Sequence, residues 1–131
     1  MGNEELAKHW LESSDDDFRH MESMFKSGGY HWALFIGHLV LEKLLKAIYA
    51  KRNPEKPQAP KIHNLNKLAQ QCGIELDAKT FEKFAAINRF NIDGRYEDYK
   101  REFYKLCTRE YAKEQIEIIK EKREWLKSKL I

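Results

Sequence analysis

The stretch Tyr30–Lys51 constrains the fold more than any other part of this chain. At about 100° per residue, Ala33, Leu34, Gly37, Val40, Leu41, Leu44 and Ile48 form a broad apolar arc. Trp32, Phe35 and Leu39 widen that arc well beyond one face, leaving only His31, His38, Glu42 and Lys46 as a narrow polar strip. A helix this apolar has to be wrapped by neighbours or has to face a second subunit. Gly37 sits in its middle, where glycine costs about 1 kcal/mol relative to alanine, so the sequence predicts that a neighbour approaches closely there.

The remaining periodic segments supply the wrapping. A first helix is predicted from Glu4 to Lys26 with Asn3 as N-cap. It has Leu6, Ala7, Trp10, Leu11, Phe18, Met21, Met24 and Phe25 on one stripe, and Ser27-Gly28-Gly29 ends it. Ser14 and Asp17 interrupt the stripe, and a carboxylate there needs a structural partner in the bundle. Pro54, Pro57 and Pro60 mark a basic loop, followed by a short helix over Asn64–Gln71 that Gly73 stops. Asp77 opens a helix to about Phe90 with Phe81, Phe84, Ala85 and Ile87 inward, and Thr108 caps a last helix reaching Lys129. That helix buries Tyr111, Ala112, Ile116, Ile119, Leu126 and Leu130. Asn91–Cys107 has no sustained apolar period and reads as a loop with some helical turns. The expected architecture is an all-α, up-and-down bundle of about five helices forming a single domain over residues 1–131.

Three prolines and six glycines are too few for a sandwich or barrel, and they fall between the helices. With no long apolar run and an acidic start, the chain is expected to be cytoplasmic, with no membrane partner. Cys72 and Cys107 lack metal-ligand spacing and read as two free thiols. Net charge is only +3, yet residues 1–25 hold seven acids against two bases, and residues 43–67 hold seven bases against Glu55 alone. That basic zone suits phosphate or an acidic partner, or equally a solvated loop beside the acidic first helix.

No complete catalytic motif occurs: GxSxG, Walker A, GxGxxG and HExxH are all absent, and no cofactor or metal is called for. His38 and Glu42 share a helix face with Lys46 continuing the row, and the pair could offer a metal one nitrogen and one oxygen or work as acid and base. With no third ligand at helical spacing, it reads as a surface strip with an ordinary i,i+4 ion pair. The segment Asn88–Tyr99 is different. It gathers Arg89, Asn91, Arg95, Tyr96 and Tyr99 beside Gly94, and arginine forks bind phosphate while tyrosine rings stack on bases. The alternative is a loop tied to the bundle by arginine–carboxylate pairs, with Asp17 as one partner.

Several of these residues carry a family likeness. Trp10, Asp17 and Gly29-Tyr30-His31-Trp32-Ala33-Leu34-Phe35, running into Glu42-Lys43-Leu44-Leu45-Lys46-Ala47, resemble the HEPN domain (higher eukaryote and prokaryote nucleotide-binding domain). His63-Asn64-Leu65 with Leu68 resembles the opening of its short middle helix. Arg95-Tyr96-Glu97-Asp98 resembles its R-Y-P-D element, with Glu97 where proline is usual. The resemblance implies a homodimer that binds a nucleotide or RNA, in systems of the toxin–antitoxin type, often beside a minimal nucleotidyltransferase. Ligand-binding residues would be Lys46, His63, Arg89, Asn91, Arg95 and Tyr96. Family RNases use an arginine followed four to six residues later by histidine, and no such pair occurs here. The resemblance therefore favours a non-catalytic binding module with no catalytic residue. The alternatives are a metal-independent RNase using His63 with Arg89 and Arg95, and a structural module for a nucleotidyltransferase.

Overall fold

The computed structural model describes residues 2–130, and the secondary structure among them is entirely helical. Six helices follow in order: α1 (Asn3–Lys26), α2 (Tyr30–Arg52), α3 (Leu65–Gln71), α4 (Ala78–Arg95), α5 (Glu97–Leu106) and α6 (Arg109–Ser128). The ends follow local chemistry. Asn64, Asp77 and Thr108 each place a side-chain oxygen on the backbone N–H three residues on, capping α3, α4 and α6. Gly28 and Gly73 adopt φ of +88° and +74° just past α1 and α3, a backbone conformation that other residues adopt only with strain. Asn3 is not a cap: α1 starts at Asn3, with Gly2 as its N-cap.

α2 is the axis of the fold. Twelve of its 23 residues are buried, which places it at the centre rather than on one side. It forms an antiparallel hairpin with α1, and α6 and α4 pack on its other sides, with α3 and α5 at the margins. Leu34, Leu41, Leu44, Leu45 and Ile48 meet Met21 of α1, Phe84 and Ile87 of α4, and Ile119 of α6 in one core. Full burial of such side chains contributes about 1.5–3 kcal/mol each. Gly37 does admit a neighbour. A Cβ there would lie 2.5 Å from Ile119 Cδ1 and 3.1 Å from Met21 Sδ.

The polar interruptions of α1 are structural. Ser14 is fully buried and donates to the Val40 carbonyl at 2.8 Å, and Asp17 pairs with Lys43 at 2.7 Å. Lysine of α2, not an arginine of the Asn88–Tyr99 segment, is thus the partner of Asp17. Both cysteines are free and buried. Burial pushes the Cys72 thiol up to about 11 and Cys107 up to about 12, so neither offers a thiolate near neutral pH.

Two sequence expectations are corrected. Asn91–Cys107 is not a loop: α4 runs on to Arg95, Tyr96 makes the corner, and α5 follows, giving six helices instead of about five. α5 was hidden because it is short: Tyr99, Phe103 and Leu106 do share one stripe, but over ten residues only. Phe103 alone of them is buried, stacked on Phe90 at 5.8 Å between ring centroids. Gly94 accordingly lies inside α4 and makes no turn. It is buried, and a Cβ there would lie 2.9 Å from the Phe35 ring, so the glycine lets α4 press onto α2. The inner face of α4 also differs. Phe84, Ile87 and Phe90 are buried, whereas Phe81 is 53% exposed and Ala85 lies outward.

Candidate functional site

Two polar assemblies flank α2. The first is built on the strip predicted to be solvated. His38 and Glu42 are buried, because the chain between Asn53 and Asn64 folds across this face and delivers His63. His38 Nε2–H donates to the His63 carbonyl at 2.8 Å, and Glu42 Oε1 accepts from His63 Nδ1–H at 2.9 Å. The other Glu42 oxygen takes the Lys46 ammonium at 3.0 Å, and Lys46 lies over the Trp10 ring at 5.2 Å.

Electrostatics follow from that geometry. Burial alone would raise the Glu42 pKa, but the hydrogen bonds from Lys46 and His63 outweigh it and hold the carboxyl below its usual value. His38 is held down to about 4 by burial, against the opposing pull of Glu42 and the His63 carbonyl, so it is neutral near pH 7. Its Nδ1 has no hydrogen-bond partner among the described residues and lies 3.8 Å from Glu42 Oε1. With Nδ1–H turned to Glu42, His63 keeps Nε2 as its second nitrogen, on a side chain 51% exposed. Carboxylate-oriented histidines of this kind can accept a proton from a bound hydroxyl.

The second assembly lies at the α4–α5 corner. Arg89 pairs with Asp93 at 2.8 Å and lies over the Tyr99 ring at 5.7 Å. Arg95 lies over Phe35 at 5.9 Å, and Lys100 of α5 lies over Trp32 at 4.5 Å. Tyr96, Tyr99 and Tyr104 are about half exposed or more, at 55%, 49% and 63%, and His31 packs edge-on against Tyr104. The corner persists without the usual proline because Glu97 is the first helical residue of α5. A carboxylate there is favoured by the helix dipole, as proline is favoured by its fixed φ.

The predicted site residues therefore divide. Lys46 and His63 meet through Glu42; Arg89, Arg95 and Tyr96 gather at the corner. Phe35 and Glu42 are seven residues apart on one side of α2, so the Arg95 and His63 positions differ by about 10 Å along the helix. Arg89 engages Asp93 and Tyr99, Arg95 engages Phe35, and His63 engages Glu42. Asn91 is only 5% exposed with Nδ2 unpartnered, so it presents nothing to a surface ligand. Lys100, Tyr104 and the seating of Trp32 escaped sequence reading because α5 did. No trio of His, Cys, Asp or Glu side chains placed to hold a metal occurs among the described residues. None of their helices is long and apolar enough to cross a membrane.

A central apolar helix, a capped short middle helix and a basic, aromatic α4–α5 corner define a helical-bundle domain of the HEPN type. The HEPN domain family model matches residues 7–129, and the chain belongs to that family. Its fold is similar to the crystal structure of the protein TT1696 from Thermus thermophilus, with a TM-score of 0.79 at 22% identity, covering 95% of this chain and 98% of that one. Comparison with curated proteins finds no match.

Proposed function

We propose that this protein is a homodimeric HEPN module that binds a nucleotide or RNA without cutting it. The observation that carries the proposal is the set of three cations seated on aromatic rings along the corner: Arg89 on Tyr99, Arg95 on Phe35 and Lys100 on Trp32. Cations answer phosphates, and exposed tyrosines offer faces on which bases stack with little regard to sequence. Half-buried Phe35 and Leu39, beside the partly exposed Trp32, would be shared across a two-fold interface. Cleavage is disfavoured because Arg89 is followed six residues later by Arg95 where the family's RNases have a histidine, and a guanidinium does not serve as a base.

The test is fluorescence anisotropy with a labelled single-stranded RNA across a salt series. Arg95→Ala combined with Lys100→Ala should weaken binding and flatten its salt dependence by about one to two phosphate contacts. Affinity that ignores both salt and the substitutions would remove the corner as the site.

A second reading is favoured by one specific contact, the Glu42–His63 pair at 2.9 Å. Such a carboxylate fixes the histidine tautomer and supports a proton acceptor, as metal-independent RNA cleavage through His63 with Arg89 or Arg95 would need. It predicts that His63→Ala and Glu42→Gln abolish cutting while leaving RNA binding in place.

A further inference from the structure

Beyond His63, with Asn64 on its rim, the junction of α3 and α4 holds a depression of about 570 Å³. Ile74, Leu76 and the half-exposed ring of Phe81 make it apolar, and Asn66, Lys67 and Gln70 form its polar wall. The wall is fixed: Asn66 Nδ2 donates to the Phe81 carbonyl at 3.2 Å, and its Oδ1 accepts from Asn88 at 2.9 Å. The Lys67 ammonium, the Gln70 amide and the Glu75 carboxylate make no side-chain hydrogen bond or ion pair among the described residues.

Residues 74–77 run between the two helices without regular structure. The backbone N–H and C=O groups of Glu75 and Leu76 take no backbone partner among the described residues. On the far side of this segment a second depression, about 440 Å³, meets the first at Glu75. Glu75, Asp77 and Glu121 line it, with Lys122 as the one lining cation among the described residues. Lys122 is engaged by Thr80 at 3.2 Å and Glu121 at 3.5 Å, and Asp77 keeps one oxygen beyond its cap on Thr80. Lys129 lies over the lining Trp125 ring at 4.7 Å. The surface is therefore apolar at one end and acidic at the other, with unpaired main chain between.

We infer that this groove binds an extended peptide segment, seating an apolar side chain against Ile74, Leu76 and Phe81 and a lysine or arginine against Glu75, Asp77 and Glu121. Main-chain hydrogen bonds to an extended partner supply affinity sequence-independently, and side-chain pockets beside them supply selection. The Gln70 carboxamide, with a donor beside an acceptor, matches the amide groups of such a backbone. Three lining carboxylates against one lining lysine favour a cationic side chain at this end, in contrast to the cationic corner on α4 and α5.

The test is an amide NMR titration of the full chain with capped peptides of about eight residues. Each carries one leucine and a lysine within the next few residues, in a glycine–serine background, and a matched control carries glutamate for lysine. The expected result is shifts at Gln70, Glu75, Leu76 and Phe81 with the lysine peptides alone. Phe81→Ser and Glu75→Lys should each weaken binding about tenfold or more while melting like the wild type. Arg95→Ala should bind the peptides unchanged, whatever its effect on RNA. The proposal is overturned if no peptide of the set shifts these amides, if the glutamate control binds equally, if Arg95→Ala abolishes binding, or if an RNA oligonucleotide occupies the same amides instead.

Discussion

Replacing Gly37 with alanine should set two calculable effects against each other. Alanine in mid-helix gains about 1 kcal/mol over glycine. Its Cβ, however, would lie 2.5 Å from Ile119 Cδ1 and 3.1 Å from Met21 Sδ, both on side chains with no exposed surface. Overpacking a filled core costs about 1–3 kcal/mol, so Gly37→Ala should be destabilising by up to about 2 kcal/mol. Ile119→Val removes the clashing methyl and by itself should cost about 0.5–1.5 kcal/mol. In the double variant the clash is relieved and the helix gain remains, so its stability should return close to wild type, with a favourable coupling of about 1–3 kcal/mol. Urea unfolding followed by far-ultraviolet circular dichroism, at one fixed protein concentration, measures all four corners of the cycle. Additivity within about 0.5 kcal/mol, or a Gly37→Ala variant more stable than wild type, would refute the close approach of α6 to α2 at this glycine.

Three further outcomes are expected. His38 titrates near 6.5 when unfolded and about 4 when folded, so its contribution is complete above pH 6.5 and is lost as pH falls towards 4. That loss is at most about 3 kcal/mol. His38→Gln, which keeps a donor for the His63 carbonyl, should flatten the urea midpoint between pH 7 and pH 5, and an equally steep profile in the variant would count against buried, neutral His38. The purified protein should leave single-stranded RNA intact with chelator present; robust cutting that disappears in His63→Ala would make the Glu42–His63 pair catalytic. Sedimentation at tens of micromolar should show a dimer that Trp32→Glu dissociates, and a wild-type monomer would end the two-fold reading of the Phe35–Leu39 surface.

Local chemistry determined a good deal of this protein without help. Asp77 and Thr108 cap the helices that the sequence has them open, Asn64 caps α3, and the Ser27-Gly28-Gly29 break ends α1. The apolar arc of Tyr30–Lys51 marked the central helix, and Gly37 marked a close contact, because each is a property of consecutive residues with a fixed helical period. The family likeness was legible for the same reason, through short motifs in a set order. Tertiary structure decided the rest. Periodicity assigned His38 and Glu42 to a solvated strip, and only the return of the chain before α3 buried them and brought His63 to the carboxylate. α5 forms with Phe103 as its single buried residue, and its placement alone sets Lys100 over Trp32 and Tyr99 under Arg89. Desolvation and pairing depend on what lies across from a side chain, and a sequence pattern fixes a residue's own face without stating what will cover it.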